Sequence, residues 1–243
     1  MVPHLVLLPG LDGTGELFAP LVKAFGDDVT SSVVRYGSEL TFDEYVESAA
    51  RALPDRAVVV AESFSGPVGI ALAARHPGKI CCLVLCATFA RGPFRTLLRF
   101  ARFIPARAFA ANALTPAMLR HFCCNGDDKS LRPSAVSVVS SVPPAIMRAR
   151  LACLADIDVG PLLRRVGTPV LYLRASRDRI VGAGLSSALT SQLPNVSITE
   201  IDGPHLLLQT RPRECAAAIS SFVQACTRPV TGGASVSPSS TDR

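Results

Sequence analysis

Tryptophan is absent from this 243-residue chain, and aromatic residues together make up only 6% of it. So few stacking platforms, with no reading helix or RNA motif, argue against a nucleic-acid binder despite the net charge of +6. Charge is scarce as well: 18% of residues are charged and 49% hydrophobic, which excludes a wholly disordered chain. Long apolar runs are missing. No stretch reaches the roughly 18 uninterrupted apolar residues of a membrane span, so none is expected. Met1-Val2-Pro3-His4 carries no basic segment ahead of a long apolar one, and reads as the lead into a strand rather than a secretion signal.

Two cofactor signatures are lacking. The turn Pro9-Gly10-Leu11-Asp12-Gly13-Thr14-Gly15 is glycine-rich, but no lysine follows Gly15 and the G-x-G-x-x-G spacing is not met. No nucleotide or other cofactor is expected. The eight cysteines form no C-x-x-C pair. Cys81, Cys82 and Cys86 fall inside an apolar run, where thiols act as small hydrophobes. Reduced core thiols, no metal and a cytoplasmic protein are expected.

What is present is an alternation of apolar runs with helical patterns, the mark of a parallel sheet built from βαβ units. Strands are predicted at His4–Leu8, Ser32–Tyr36, Ala57–Ala61, Ile80–Cys86, Val170–Arg174 and Ser197–Ile201. Thr41-x-x-Glu44 predicts a capping box. Gly66–His76 reads as a helix packed closely on the sheet. Pro212 opens a closing helix with Cys215, Ile219 and Val223 on its apolar face. Residues 1–90 and 156–227 are assigned to this α/β core. Residues 91–155 hold no convincing strand and read as a helical cap inserted in it. They contain 10 Lys/Arg against 2 Asp/Glu, so the basic excess lies there. Residues 228–243 are rich in Ser, Thr, Gly and Pro and are expected to be a disordered tail.

In Val58-Val59-Val60-Ala61-Glu62-Ser63-Phe64-Ser65-Gly66 a buried strand turns sharply into a helix. A serine at such a turn stands above the C-terminal edge of the sheet, at a helix N-terminus that favours developing negative charge. The G-x-S-x-G pattern is relaxed to Ala61 and Ser65, both still small, which makes Ser63 the candidate nucleophile and Ser65 its rival. Chemistry in parallel sheets sits beyond the C-terminal strand ends. Of four histidines only His205 follows a strand, in a Gly203-Pro204 loop. Asp178 follows the fifth predicted strand and is the candidate acid to orient the imidazole; Asp202 competes. Oxyanion donors are assigned to the backbone N–H groups of Phe64 and Leu11.

Taken in chain order, the Leu8–Gly13 loop, the turn at Ser63, the Asp178 loop and the Gly203-Pro204-His205 loop resemble the α/β-hydrolase superfamily over about residues 4–226. The resemblance implies a trimmed, mostly parallel six-stranded sheet with helices on both faces and a helical cap. Size, trimmed start and cap position look most like small bacterial carboxylesterases, such as the pimeloyl-[acyl-carrier-protein] methyl ester esterases. Ester hydrolysis through an acyl-enzyme is therefore expected. Thioester cleavage or acyl transfer by the same triad is the nearest alternative, and a non-catalytic ligand receptor is the alternative of another class. An acyl pocket is expected from Phe94, Leu97, Leu98, Phe103 or Leu114. A helix over Pro93–Ile104 would set Phe94, Leu97, Leu98 and Ala101 on one face. Arg95, Arg99 and Arg102 would lie on another, facing an acidic partner such as an acyl-carrier protein.

Overall fold

The computed structural model describes residues 4–110, 115–124 and 131–227. Six parallel strands run in the order β2-β1-β3-β4-β5-β6: β1 His4–Leu8, β2 Thr30–Val33, β3 Ala57–Glu62, β4 Ile80–Cys86, β5 Val170–Ala175 and β6 Val196–Ile201. All six residues of β3 are buried, as expected of a strand covered on both faces. Alternate side chains feed two cores. Val6, Leu8, Val59, Ala61, Leu83 and Leu85 enter one, and Leu5, Leu7, Val58, Val60, Cys82 and Val84 the other.

Helices cover both faces. Helix α1 (Ala19–Phe25) and the closing helix pack together on one side, and α2 (Phe42–Arg51) and α3 (Gly66–Arg75) on the other. Thr41 and Glu44 complete the capping box at the start of α2. The expected second strand lies two residues too late. Thr30–Val33 make the ladder with β1, although Val34 and Tyr36 carry the burial. Val34 and Tyr36 attach by single backbone bonds, to Leu7 O (2.9 Å) and Gly13 O (2.8 Å).

Between β4 and β5 the described chain forms α4 (Arg95–Leu98), two 3₁₀ helices (Arg99–Phe103 and Ala106–Phe109), α5 (Thr115–Met118), a π turn (Leu119–Cys123), α6 (Leu131–Ser141), α7 (Pro144–Asp156) and a third 3₁₀ helix (Gly160–Arg165). The predicted helix over Pro93–Ile104 is a correction. Only four residues are α-helical before the winding tightens to three residues per turn. The faces drawn at 3.6 residues per turn are therefore not the faces that form. The ends of the insertion meet: Arg91 and Asp158 form an antiparallel bridge, Val159 N–H donates to Ala90 O (3.0 Å) and Gly92 N–H to Ile157 O (3.3 Å). After β5 come α8 (Ala183–Thr190), α9 (Leu207–Thr210) and α10 (Pro212–Thr227). No single described helix is long and apolar enough to cross a membrane. The expected disordered tail, 228–243, and Leu114 lie outside the described residues.

Candidate active site

The strand order reverses between β1 and β3, and in parallel sheets a crevice opens at such a point above the C-terminal ends. The loop after β1 and the turn after β3 face each other there. At that turn Ser63 has φ of 47°, a left-handed conformation that costs a non-glycine residue about 1–2 kcal/mol and needs crowded support. Support is present. Thr88 Oγ1 donates to Ser63 O (2.6 Å), Tyr172 Oη donates to Thr88 O (2.8 Å), and a Cβ on Gly66 would collide with the Thr88 side chain. Gly66 is thus the residue that lets α3 start so close to β4.

Ser63 Oγ lies 2.9 Å from His205 Nε2, and His205 Nδ1 lies 2.8 Å from Asp178 Oδ2. The ionised acid accepts, so Nδ1 carries the hydrogen, and Nε2 is free to accept from the Ser63 hydroxyl. Asp178 Oδ1 accepts from Ile180 N–H and Val181 N–H, both at 2.8 Å, which fixes the carboxylate from behind. The arginines beside Asp178 do not pair with it: Arg177 binds Asp202, and Arg179 donates to His121 O. Asp202 is thereby removed as the orienting acid. It accepts from Ser176 and Arg177, which hold its carboxyl below the ordinary range. Ser65 is wholly buried, its hydroxyl donating to Pro9 O.

Leu11, Phe64, Ser63 and His205 line one cavity of about 470 Å³, within the usual range for small-ligand sites. Its walls are otherwise mostly apolar. The helical insertion supplies Ala108, Phe109, Met118, Val139, Met147 and Leu151. Phe94, Leu97, Leu98 and Phe103, expected as the acyl pocket, are not among the lining residues. Phe94, Leu97 and Phe103 are exposed, and Leu98 packs on the core below. The arginine stripe is also changed. Arg95 Nε donates to Ala155 O (3.0 Å), and its guanidinium lies 4.0 Å from Asp158; Arg102 pairs with Asp156 (3.0 Å). Only Arg99 of the three lacks an ion pair among the described residues. Among these residues no cluster of His, Cys, Asp and Glu is placed to hold a metal, and none of the eight cysteines is in a disulfide.

Sequence reasoning missed two residues of this site. Arg150 on α7 is 1% exposed. Its guanidinium donates to Leu11 O (3.1 Å), to Asp12 O and to Tyr36 O (2.9 Å), and it forms no ion pair among the described residues. Carbonyl dipoles, not a carboxylate, accommodate its charge. Gly13, with φ of 68°, has to be glycine because a Cβ there would strike this guanidinium. The helical insertion therefore holds the loop that carries Leu11.

The second missed residue is Glu62, buried in the cavity floor, with both oxygens accepting from Gln209 Nε2 (2.9 and 3.1 Å). Burial pushes its carboxyl up to about 7; Gln209 opposes the shift, Asp12 adds to it and His205 opposes it. The folded chain thus keeps a proton that the unfolded chain releases near the ordinary 4.5. Stability should fall as pH rises from about 4.5 to about 7, then level off. The total loss is of the order of 3 kcal/mol. Urea unfolding at pH 5 and pH 8 checks this. Glu62→Gln should gain on the wild type at pH 8 and lose that advantage at pH 5, and a constant difference would contradict the assignment.

The profile of the Alpha/beta hydrolase family matches residues 5–218. This chain belongs to that family. Its sheet, helices and strand order are those of the α/β-hydrolase fold, as the sequence led one to expect. Among similar proteins, the pimeloyl-[acyl-carrier protein] methyl ester esterase of Aromatoleum aromaticum is 26% identical over 215 residues, covering 76% of this chain and 80% of that protein. The RutD protein of Caulobacter sp. (strain K31), named for carbamate hydrolysis, is 24% identical over 240 residues, covering 90% and 89%. The crystal structure of the enol-lactonase from Burkholderia xenovorans LB400 superposes with a TM-score of 0.77 at 18% identity, covering 92% of each chain.

Proposed function

We propose that this α/β hydrolase cleaves carboxylic esters through an acyl-enzyme, with Ser63 as nucleophile, His205 as general base and Asp178 as the acid that orients it. The observation that carries the reading is the hydrogen-bonded line Ser63–His205–Asp178 ending in an apolar cavity. His205 Nε2 takes the hydroxyl proton as Oγ attacks the carbonyl, and Asp178 stabilises the imidazolium that results. The N–H groups of Leu11 and Phe64 receive the oxyanion. His205 returns the proton to the departing alcohol, and water repeats the sequence to free the acid. The helical insertion serves as the cap, and its apolar side chains take the acyl chain. The 26% identical relative, named as a methyl ester esterase for a carrier-linked acyl group, supports an ester of this kind.

The test combines a fluorophosphonate probe with a substrate panel. Ser63 should be the labelled residue. Esters of medium acyl chains should be turned over faster than matched thioesters or carbamates. A carrier-linked methyl ester and an alternative acyl acceptor complete the panel. Preference for thioester or acceptor would move the reaction class while keeping the three residues. Absence of labelling and of turnover on every substrate would leave a ligand receptor.

A further inference from the structure

We propose that Phe94, Leu97, Phe100 and Phe103 form a ridge by which this protein docks on an anionic lipid surface beside the mouth of its cavity. The four side chains are 54%, 71%, 60% and 78% exposed. They recur every third residue along a segment that ends in a 3₁₀ helix, where residues three apart stand above one another. The neighbouring rows differ in character. Arg95, Leu98 and Ala101 are half-buried or buried, on a segment packed against α7. Thr96, Arg99 and Arg102 are exposed and carry the charge. An apolar row on the outside of a globular protein is unfavourable unless something covers it.

Three observations favour lipid as that cover. The row is a projecting ridge of long apolar side chains, a shape that enters a fluid apolar phase without needing a matching groove. Cationic groups flank it. Arg99 and Arg107 are exposed and have no ion pair among the described residues, so both are available to lipid phosphates. The ridge also adjoins the cavity along the chain. Pro93 just before it and Ala108, Phe109 and Ala110 just after it line the cavity, and Met118 both lines the cavity and is 59% exposed. A substrate with an apolar acyl chain concentrates in the phase where the ridge would sit.

Full-length protein is mixed with vesicles of phosphatidylcholine alone or of phosphatidylcholine with phosphatidylglycerol, and binding is read by co-sedimentation. Binding to the anionic vesicles, weakened by salt, is expected. Because the chain has no tryptophan, Phe103→Trp provides a single reporter whose emission should shift to shorter wavelength on binding. Phe100→Asp should lower partitioning at least about ten-fold, while kcat/KM on a short water-soluble ester stays within about two-fold and the melting curve is retained. Vesicle binding needs no turnover, and Ser63→Ala should bind like the wild type, so this test fails or succeeds separately from the proposed hydrolysis. Three results overturn the proposal: no binding to anionic vesicles, equal binding by Phe100→Asp, or a ridge engaged instead by an acidic carrier protein or by a second copy of the chain. The last is read by sedimentation without lipid.

Discussion

Replacing Ser63 with alanine should lower kcat on a small ester by about 10⁴-fold or more and leave the melting temperature almost unchanged. The change removes one oxygen, the one 2.9 Å from His205 Nε2. Alanine meets the same left-handed backbone as serine, so strain at the turn is not altered. Ser65→Ala supplies the contrast. Its hydroxyl is buried between Pro9 O and the Tyr36 hydroxyl, so its loss should cost stability, about 1 kcal/mol, far more than chemistry. Steady-state kinetics and thermal melts on both variants separate the two serines. Activity retained by Ser63→Ala and lost in Ser65→Ala would transfer the nucleophile to the second serine.

Arg150→Met should lower kcat by about 10²-fold with KM changed far less. Displacing a reacting group by about 1 Å costs on that scale. The guanidinium holds three carbonyls around the loop that carries the Leu11 N–H, and methionine fills the space without offering a donor. Carbonyls left buried without a partner also cost about 1–3 kcal/mol each, so a lower melting temperature is expected too. The split between kcat and KM, measured well below the melting temperature, is the informative quantity. Arg150→Lys should recover part of kcat because one ammonium can serve some of the carbonyls. Loss of stability with kcat intact would reduce Arg150 to a tie between the insertion and the core.

The sequence shows the sheet well because β3, β4 and β5 are largely buried on both faces and therefore read as nearly continuous apolar runs, broken only by Glu62 and Arg174 near their ends. It places β2 badly for a physical reason: Thr30–Ser31–Ser32–Val33 pair with β1 through the backbone ladder and through polar contacts of Thr30 (3.2 Å) and Ser32 (2.8 Å) with His4, while the buried side chains come afterwards. Burial and hydrogen bonding are separable at a sheet edge, and only burial leaves a trace in hydrophobicity. Ser63, His205 and Asp178 were legible because strand ends bring them to one edge. Arg150 was not. Its partners are main-chain carbonyls 114 to 139 residues away, which have no side-chain signature. Glu62 was hidden by its neighbour, since the motif around Ser63 leaves that position unspecified. The insertion misled because its charges and phenylalanines were sorted at 3.6 residues per turn in a segment that is α-helical only over Arg95–Leu98 and winds at three from Arg99 to Phe103.

The short bridge at Arg91 and Asp158 has a consequence for how this architecture can vary. The insertion departs from and returns to one point, closed by the Ala90–Val159 and Gly92–Ile157 backbone bonds, so its two ends meet at a fixed clasp beyond β4 and before β5. The entropy of closing a loop grows only with the logarithm of its length. Residues can accordingly be gained or lost above the clasp at little cost to the register of the sheet. On the proposed reading, substrate range and scaffold integrity thereby fall on separate parts of the chain. That separation is incomplete at Leu98, Leu151 and Leu154, which pack on the core, and most specifically at Arg150, since any replacement insertion has to return a donor to the loop below it.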